Sequence, residues 1–342
     1  MRFLKCRQVP QEKKAKVSII GAGPAGLGAA GVLICKGYDV VVYDMMPEAG
    51  GMMLFGIPDD RLPKDNIRKG VKELMEAGVK FVFNTTIGKD IPLEKIIDES
   101  DAVLIATGTW KPRRMGVPGE DLPWVIPAAD WLVEVHMARY GYLPWEKVPR
   151  VEGRILVVGG GLTAADAVHV PMTYPEFKEG VERVVLSYRR TRDFAPMRRQ
   201  EFERLIQLGA EAWELTQPVE FREEGGKRIV KFVRMQLVDT GKGRPKPVPI
   251  EGSEFEAEFD YVLLAIGEVP TPPFEGTSCC GIELNPDGTI KTDENFMTTR
   301  PGVFATGDVR HGPSRIGPAL KSGLDVARAI DEWLKARITA RA

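Results

Sequence analysis

The sequence has few of the residues that build metal sites and redox centres. Of its 342 residues, 4 are cysteine and 3 are histidine. No two cysteines have the C-x-x-C spacing, so the local sequence assembles neither a redox dithiol nor an iron–sulfur site. The adjacent Cys279 and Cys280 are expected to be two reduced thiols rather than a vicinal disulfide. Because the histidines are scattered, no metal site is predicted.

An excess of charge of either sign is also missing. Lys and Arg together number 47, and Asp and Glu number 48, which argues against a general affinity for nucleic acid or membrane surfaces. Residues 1–16 are charged and lack the apolar run of a signal peptide. The long uncharged stretch at 17–35 is divided by its glycines and Pro24 into a short strand and a helix, so it is no membrane span. A cytoplasmic protein is therefore expected.

The sequence does contain a strand, a glycine-rich turn, a helix and a second strand in the order of a dinucleotide-binding unit. After the apolar run at 17–20, Gly21, Gly23 and Gly26 have the G-x-G-x-x-G spacing. Gly21 permits a tight turn, Gly23 leaves room for a pyrophosphate, and Gly26 lets the helix pack closely on the strand. The pattern predicts a bound adenine dinucleotide, and a purely structural glycine turn is the alternative.

The helix and strand that follow this turn supply further contacts to such a ligand. The helix begins at Pro24 and Ala25, and its N–H groups and dipole can bind a phosphate without a basic side chain. The second strand ends in Asp44, ~20 residues downstream, where a carboxylate accepts hydrogen bonds from a ribose 2′-hydroxyl.

The segment after Asp44 is too apolar for a solvated loop and is expected to lie along the ligand. The stretch at 48–51 is placed near the ribose and pyrophosphate, and the stretch at 54–58 is expected to wall a ring system. A structural crossover loop is the alternative. The candidate ligand-binding residues here are Glu48, Gly51, Met52, Leu54, Ile57 and Arg61.

Three more buried strands are predicted to end in small-residue turns that let the backbone pass close to a cofactor. Ligands in α/β sheets bind at the carboxyl ends of the strands, so the turn residues are candidate contacts. These residues are Thr107, Gly108, Gly267, Gly307 and Asp308.

A second glycine unit repeats the pattern later in the chain. Gly159, Gly161 and Ala164 have the G-x-G-x-x-A spacing, and Leu162 and Thr163 begin the following helix. The sequence therefore predicts two dinucleotide sites in one chain.

The strand after the second unit ends in Arg189 and Arg190 instead of an acid. Guanidinium groups neutralise the 2′-phosphate of NADP, whereas a carboxylate accepts from the free 2′-hydroxyl of NAD. Arg192, Arg198 and Arg199 lie nearby in the sequence. The second site is therefore predicted to bind NADPH, with a solvated basic loop as the alternative.

The remaining segments carry weaker patterns. Residues 221–259 are predicted to form a β-meander, with a loop rich in Gly, Pro and Lys at 241–249 to which no chemistry is assigned. Helices are predicted at 67–77 and 318–336.

Taken together, the motifs resemble those of the small subunit of glutamate synthase and its relatives, over residues 17–329. The resemblance implies an α/β fold with two Rossmann-like, three-layer domains, the NADPH-binding domain being inserted in the FAD-binding domain. The implied boundaries are 1–122 and 273–342 for the FAD domain and 123–272 for the NADPH domain. The motifs that carry the resemblance are GAGPAGL (21–27), GGMMLFGIP (50–58), RLPK (61–64), ATG (106–108), GGGLTAAD (159–166), YRR (188–190) and ATGD (305–308).

The resemblance also implies roles for individual residues. Gly21, Gly23, Gly26 and Asp44 would hold the FAD pyrophosphate and adenosine ribose. Asp308 would hold the ribityl or pyrophosphate region.

The last predicted helix has a role in this scheme. The stretch Ile316, Gly317, Pro318 and Ala319 would begin it, with proline in the first turn, and the N–H groups of Ala319 and Leu320 would be directed at the N1/O2 edge of the flavin. A reduced flavin carries negative charge there, which a helix dipole stabilises. An ordinary C-terminal helix is the alternative.

Members of the resembled family pass electrons from NADPH through FAD to iron–sulfur centres. Because they usually begin with a cysteine-rich iron–sulfur domain, this chain is expected to be the flavin core alone. Hydride transfer needs positioning and electrostatics rather than a protein acid or nucleophile, so no catalytic residue is predicted. The expected acceptor is ferredoxin or an iron–sulfur partner subunit.

Two other functions stay open. The chain could be an electron-input subunit that is inactive alone, or an NADPH oxidase or quinone reductase with a small-molecule acceptor. The expected partners are NADPH and the iron–sulfur protein, with no nucleic acid and no membrane. Homo-oligomers and hetero-oligomers are both open.

Overall fold

The computed structural model describes residues 1–342 and divides into two compact units. Unit 1 comprises 1–111 and 268–342, and unit 2 comprises 112–267. The second unit is thus inserted in the first, at boundaries 11 and 5 residues from the predicted ones (122 − 111 and 273 − 268). Both units hold a parallel sheet with helices, so the predicted α/β class with two dinucleotide-binding folds is confirmed.

The first segment of unit 1 alternates strands with helices. Its elements are β1 Lys16–Ile20, α1 Pro24–Cys35, β2 Asp39–Tyr43, α2 Met52–Phe55, α3 Lys64–Glu76, β3 Lys80–Val82, α4 Leu93–Asp98, β4 Ala102–Ile105 and β5 Lys111–Pro112.

Unit 2 has a parallel βα part followed by an antiparallel part. Its elements are β6 Val125–Pro127, α5 Ala128–Arg139, β7 Gly153–Val158, α6 Leu162–Thr173, β8 Val181–Tyr188, α7 Arg199–Leu208, β9 Glu211–Glu214, β10 Thr216–Glu224, β11 Lys227–Val238, β12 Lys246–Pro249, β13 Phe255–Glu258 and β14 Tyr261–Leu264.

The second segment of unit 1 completes its sheet and ends in a long helix. Its elements are β15 Glu268–Val269, β16 Ser278–Cys279, β17 Ile282–Glu283, β18 Val303–Ala305, α8 Asp308–His311 and α9 Ile316–Arg341.

The parallel sheet of unit 1 has the strand order β18-β4-β1-β2-β3. All of its strands except the edge strand β3 are largely buried, as is usual for parallel sheets covered on both faces. Ile19 and Leu104 face a core formed with α1, α3 and α9, whereas Val103 and Ile105 face a second core that includes α4. The carboxyl ends of β1, β4 and β18 lie side by side, which brings the turns after them to one edge.

The parallel sheet of unit 2 has the order β6-β14-β7-β8-β9. Val157 and Leu186 pack on the helical layer, while Val158 and Val185 pack on the antiparallel strands. The predicted meander is correct in part. β10 and β11 pair as expected, but β13 returns to pair with β11 rather than with β12.

The two sequence-predicted helices begin earlier than their apolar periodicity indicates. The structure has α3 from Lys64 and α9 from Ile316, and α9 extends to Arg341. The first helical turns of α3 and α9 are polar or contain glycine, so they do not contribute to the apolar repeat from which the helices were predicted.

The four cysteines are paired, and the expectation that Cys279 and Cys280 are reduced thiols is wrong. Cys6 bonds to Cys35, and Cys279 bonds to Cys280. The first pair could not be predicted from spacing, because it depends on the N-terminal arm packing on α1. Phe3 in that arm is fully buried, and its carbonyl lies where a Cβ on Gly31 would be.

No helix combines the length and the apolar character needed to cross a bilayer. No group of three His, Cys, Asp or Glu side chains is placed to bind a metal ion.

Candidate dinucleotide-binding sites

The glycine turn of unit 1 has the geometry that its spacing predicts. Gly21 has φ of 109°, and a Cβ there would overlap the carbonyl of Ala106. A Cβ on Gly26 would overlap the carbonyl of Gly21, so this glycine is needed for the close approach of α1. A Cβ on Gly23, in contrast, would meet no atom within 4 Å. The space beside Gly23 is therefore open to a ligand.

The loop after β2 is brought back onto this turn. The N–H of Gly50 donates to the carbonyl of Ala22 at 2.7 Å. Gly51 has φ of 57°, and a Cβ on it would lie 2.9 Å from the Cα of Gly23. Met52 then begins α2, and Leu54 is fully buried. The predicted loop thus lies against the glycine turn, and the candidate residue Gly51 is in close contact with Gly23.

Asp44 is joined to the same turn by its carboxylate. One oxygen accepts from the N–H of Ala22 at 2.7 Å, and the other accepts from the N–H of Met46 at 2.8 Å. Burial raises the pKa of this carboxyl, although the two N–H donors act in the opposite direction. Asp44 therefore fixes the conformation of the glycine turn, a role that its sequence position alone did not indicate.

Two basic side chains hold the loop that carries Glu48 and Ile57. Arg68 donates to the Glu48 carboxylate from two nitrogens, at 3.0 and 3.1 Å. The buried ammonium of Lys64 donates to the carbonyls of Met53 and Ile57, each at 2.6 Å. The motif R-L-P-K contained Lys64, but its role as a clamp on the loop was missed. Its neighbour in that motif, the candidate Arg61, is exposed.

The turn after β18 lies next to the first turn of α1, which follows the glycine turn. A Cβ on Gly307 would be 2.9 Å from the Cβ of Ala25. Asp308 follows, and burial raises the pKa of its carboxyl, which accepts from the Ser314 hydroxyl at 2.6 Å. The N–H of Gly307 donates to the hydroxyl of Ser322 at 2.9 Å. Ser314 and Ser322 support this turn, and no sequence signal identified them.

The start of α9 differs from the prediction in which N–H groups are free. Its N-cap is Arg315, and the N–H of Ala319 donates to the Arg315 carbonyl at 3.2 Å. Pro318 has no N–H, so the N–H groups that lack a carbonyl partner within the helix are those of Ile316 and Gly317. The predicted free N–H of Ala319 is therefore wrong, because this group is bonded to the carbonyl of the N-cap residue.

The start of α9 packs closely across α1. A Cβ on Gly323 would overlap the carbonyl of Ala25, and one on Gly28 would lie 2.9 Å from Leu320. Small residues at these positions let the two helix backbones approach. The N-terminal turn of α9 is therefore held beside that of α1, and both supply N–H groups and positive dipole ends.

The turn after β4 adds a polar group. The Oγ1 atom of Thr107 is buried and has no hydrogen-bond partner, which is rare in a native structure. Gly108 follows with φ of 70°, and its carbonyl accepts from the Thr271 N–H at 3.0 Å. The open space at Gly23, the two helix N-termini and the unpaired hydroxyl fit the pyrophosphate and ribose of a dinucleotide.

The glycine turn of unit 2 repeats this geometry. Gly159 has φ of 142°, and a Cβ on it would overlap the carbonyl of Ala265. A Cβ on Gly161 would meet no atom within 4 Å. Ala164 packs against this turn, since its Cβ lies 3.4 Å from where a Cβ on Gly159 would be. Leu162 and Thr163 form the first turn of α6, as predicted.

The turn after β14 also lies within unit 2. Gly267 has φ of 102°, and its carbonyl accepts from the N–H of Arg113 at 2.9 Å.

The basic residues after β8 divide into two groups. Arg192 is paired with Glu214, and Arg199 is paired with Asp193. Arg189 and Arg190 form no ion pair with a carboxylate. The second group therefore keeps its positive charge available to an anion.

This chain is similar to known proteins in both its sequence and its fold. A model of the pyridine nucleotide-disulphide oxidoreductase family matches residues 15–323. The glutamate synthase [NADPH] small chain of Halomonas elongata is 36% identical over 327 residues, which is 93% of this chain and 68% of that one. The NADPH-Fe(3+) oxidoreductase subunit beta of Geobacter sulfurreducens is 32% identical over 358 residues, covering 96% of this chain and 51% of that one.

A solved structure supports the fold. Mycobacterium tuberculosis FprA in complex with NADPH superposes with a TM-score of 0.84 at 20% identity, covering 96% of this chain and 86% of that one. The chain belongs to the pyridine nucleotide-disulphide oxidoreductase family. It is an oxidoreductase, and the predicted cofactors FAD and NADPH are confirmed at the level of the family.

Proposed function

We propose that this chain is an NADPH-dependent flavoenzyme that delivers electrons to an iron–sulfur acceptor. The observation that carries the proposal is the contrast between two glycine turns in one chain. The strand after the first turn is followed directly by the acid Asp44, and the strand after the second is followed directly by Arg189 and Arg190. This difference assigns FAD to unit 1 and NADPH to unit 2.

In unit 1, we assign the FAD pyrophosphate to the open space at Gly23 and the N-terminal turn of α1. Asp44 holds the glycine turn in place, and Thr107 has a buried hydroxyl free to bond the ligand. FAD, when bound, accepts a hydride and can release its electrons one at a time. The N–H groups of Ile316 and Gly317 would stabilise negative charge on the cofactor through the dipole of α9.

In unit 2, we assign the NADPH pyrophosphate to Gly161 and the first turn of α6. Arg189 and Arg190 would pair with the 2′-phosphate, because two guanidinium groups complement a doubly charged anion. The chain's contribution to the reaction is then binding, orientation and electrostatics, and no protein acid or nucleophile is assigned to hydride transfer.

We assign the acceptor to the iron–sulfur class because a flavin can take up the electron pair of a hydride and release it one electron at a time, as one-electron carriers require. The Geobacter relative is named as an NADPH-Fe(3+) oxidoreductase subunit, and the Halomonas relative is named as a glutamate synthase small chain. Both names describe one subunit of a larger assembly. This favours a second candidate, an electron-input subunit that needs its partner for full activity. The cytoplasmic location expected from the sequence stays a prediction.

An acceptor panel tests the proposal. The flavin-loaded chain is assayed anaerobically with NADPH and each of ferredoxin, benzoquinone and ferric citrate, and separately with oxygen. The proposal predicts the highest kcat/KM with ferredoxin. Turnover that is fastest with benzoquinone or oxygen would contradict the iron–sulfur assignment, whereas turnover that appears only after a partner subunit is added would support the second candidate.

A further inference from the structure

The loop between β11 and β12 lies on the turn that carries Arg189 and Arg190. The Nε atom of Arg190 donates to the carbonyl of Pro245 at 2.9 Å. In the other direction, Nη1 of Arg244 donates to the carbonyl of Phe194 at 3.4 Å. These two hydrogen bonds join segments that are 55 and 50 residues apart. The loop is therefore part of the basic site of unit 2, although its sequence suggested no chemistry.

The conformation of the loop is set by short-range hydrogen bonds. The N–H of Gly241 donates to the Asp239 carboxylate at 2.8 Å, and the Thr240 hydroxyl donates to the carbonyl of Lys242 at 3.0 Å. Asp and Thr side chains commonly fix turns in this way. Arg244 thus extends from an ordered turn.

The three guanidinium groups of Arg189, Arg190 and Arg244 form an uncompensated positive cluster. None of the three forms an ion pair with a carboxylate, whereas the neighbouring Arg192 and Arg199 both do. Burial, followed by repulsion from Arg190 and Arg244, lowers the pKa of Arg189. Like charges held together without counter-charge favour the binding of an anion.

We propose that Arg244 is a third ligand of the NADPH 2′-phosphate and contributes to discrimination against NADH. The inference rests on the proposed function, which places that phosphate at Arg189 and Arg190. A phosphate monoester carries about −1.5 to −2 charges and three acceptor oxygens, so it can engage three guanidinium groups. The loop between β11 and β12 is then a specificity element of unit 2.

Binding of two nucleotide fragments to the whole chain tests this inference without any turnover. Isothermal titration calorimetry compares 2′,5′-ADP, which carries the 2′-phosphate, with 5′-AMP, which lacks it. The variants are Arg244→Gln, Arg244→Lys, the reference Arg189→Gln at the proposed phosphate site, and the control Lys242→Gln. Lys242 is exposed on the same loop, so the control removes one positive charge from the loop at another position.

The expected result is specific to one side chain and one ligand. Arg244→Gln should weaken 2′,5′-ADP binding by roughly 10- to 100-fold, the range for a charge-assisted hydrogen bond, and leave 5′-AMP unchanged. Arg244→Lys should give an intermediate loss, because it keeps the charge and loses the fork of donors. Lys242→Gln should change either affinity by no more than about twofold.

Two results would overturn the inference in distinguishable ways. Equal losses of 2′,5′-ADP affinity in Arg244→Gln and Lys242→Gln would show that Arg244 contributes only to the general positive charge of the loop. An unchanged Arg244→Gln beside a weakened Arg189→Gln would remove Arg244 from the site and leave the proposed function intact. If the wild-type chain binds both fragments equally, the 2′-phosphate assignment itself fails.

Discussion

The carboxylate of Asp44 and the backbone N–H of Ala22 are joined by a 2.7 Å hydrogen bond that links the end of β2 to the glycine turn after β1. A second bond from the N–H of Met46 uses the other carboxylate oxygen. The acid expected at the ribose is therefore also a structural part of the glycine turn. Loss of this carboxylate should affect the fold and the flavin site together.

We expect Asp44→Asn to destabilise the protein and to weaken flavin retention. An asparagine has one acceptor oxygen, so either Ala22 or Met46 would face an amide donor, at a cost of about 1–3 kcal/mol in the free energy of unfolding. Urea denaturation and flavin content after gel filtration measure the two effects. Asp39→Asn is the control, since Asp39 lies on the same strand and makes only a surface ion pair with Lys80. If both variants match the wild type, Asp44 has no structural role.

Two glycines of the first turn should respond differently to alanine. Gly23→Ala places its Cβ in open space, so stability should change by no more than about 0.5 kcal/mol while flavin binding falls. Gly26→Ala forces its Cβ against the carbonyl of Gly21, and overpacking of this kind costs about 1–3 kcal/mol or more. Thermal unfolding of the flavin-free forms separates the two cases. A Gly23→Ala variant with full flavin affinity would argue against the proposed position of the pyrophosphate.

Arg189→Ala and Arg190→Ala should weaken NADPH binding by roughly 10- to 100-fold, because each removes a charge-assisted contact to phosphate. NADH lacks that phosphate, so its KM should change by no more than about threefold under the same assignment. Arg192→Ala is the matched control, since Arg192 lies in the same turn and is paired with Glu214. Steady-state kcat/KM with both nucleotides measures the effect. Equal losses for NADPH and NADH would contradict the assignment.

The carboxyl of Asp331 should make the stability of unit 1 depend on pH. Its carboxylate accepts from the Tyr38 hydroxyl at 2.6 Å and pairs with Lys335 at 3.0 Å. Burial raises the pKa of Asp331, but the hydrogen bonds from Tyr38 and Lys335 outweigh burial and hold the pKa below its ordinary value. A carboxyl with a lowered pKa in the folded state stabilises the fold above its unfolded-state pKa of about 3.9, and this stability is lost as pH falls through the folded-state pKa.

The Asp331→Asn variant should therefore unfold at a lower temperature than the wild type at pH 7. The gap in Tm should narrow as pH falls below about 4, where the wild-type carboxyl becomes protonated as well. Thermal melts between neutral and acidic pH measure this gap, with Tyr38→Phe as a second variant that removes one donor. A gap that stays constant over the whole range would show that the charge of Asp331 contributes nothing.

The glycine spacings could be read from the sequence because the strand–turn–helix motif that carries them is local. Gly26 packs on the carbonyl of Gly21 within that motif, whereas Gly21 and Gly159 meet the carbonyls of Ala106 and Ala265, which follow the neighbouring strands of their sheets. The order of apolar runs likewise predicted both parallel sheets. These features depend on periodicity and on steric limits that any chain must obey.

Several features that the sequence did not indicate depend on contacts between distant segments. Arg190 meets Pro245 across 55 residues, and Cys6 meets Cys35 across 29. Ser322, in α9, supports the turn at Gly307, and no periodicity in the sequence indicates this contact. Sequence patterns indicate which segments form the site, but tertiary packing decides which side chains support it.

An anaerobic titration of the flavin-loaded chain with NADPH and, in parallel, with NADH tests the central claim most directly. The account predicts that the visible absorption band of the flavin bleaches with stoichiometric NADPH and does so far more slowly with NADH at the same concentration. A purified chain that takes up no flavin, or a flavin band that NADPH leaves unchanged, would contradict it.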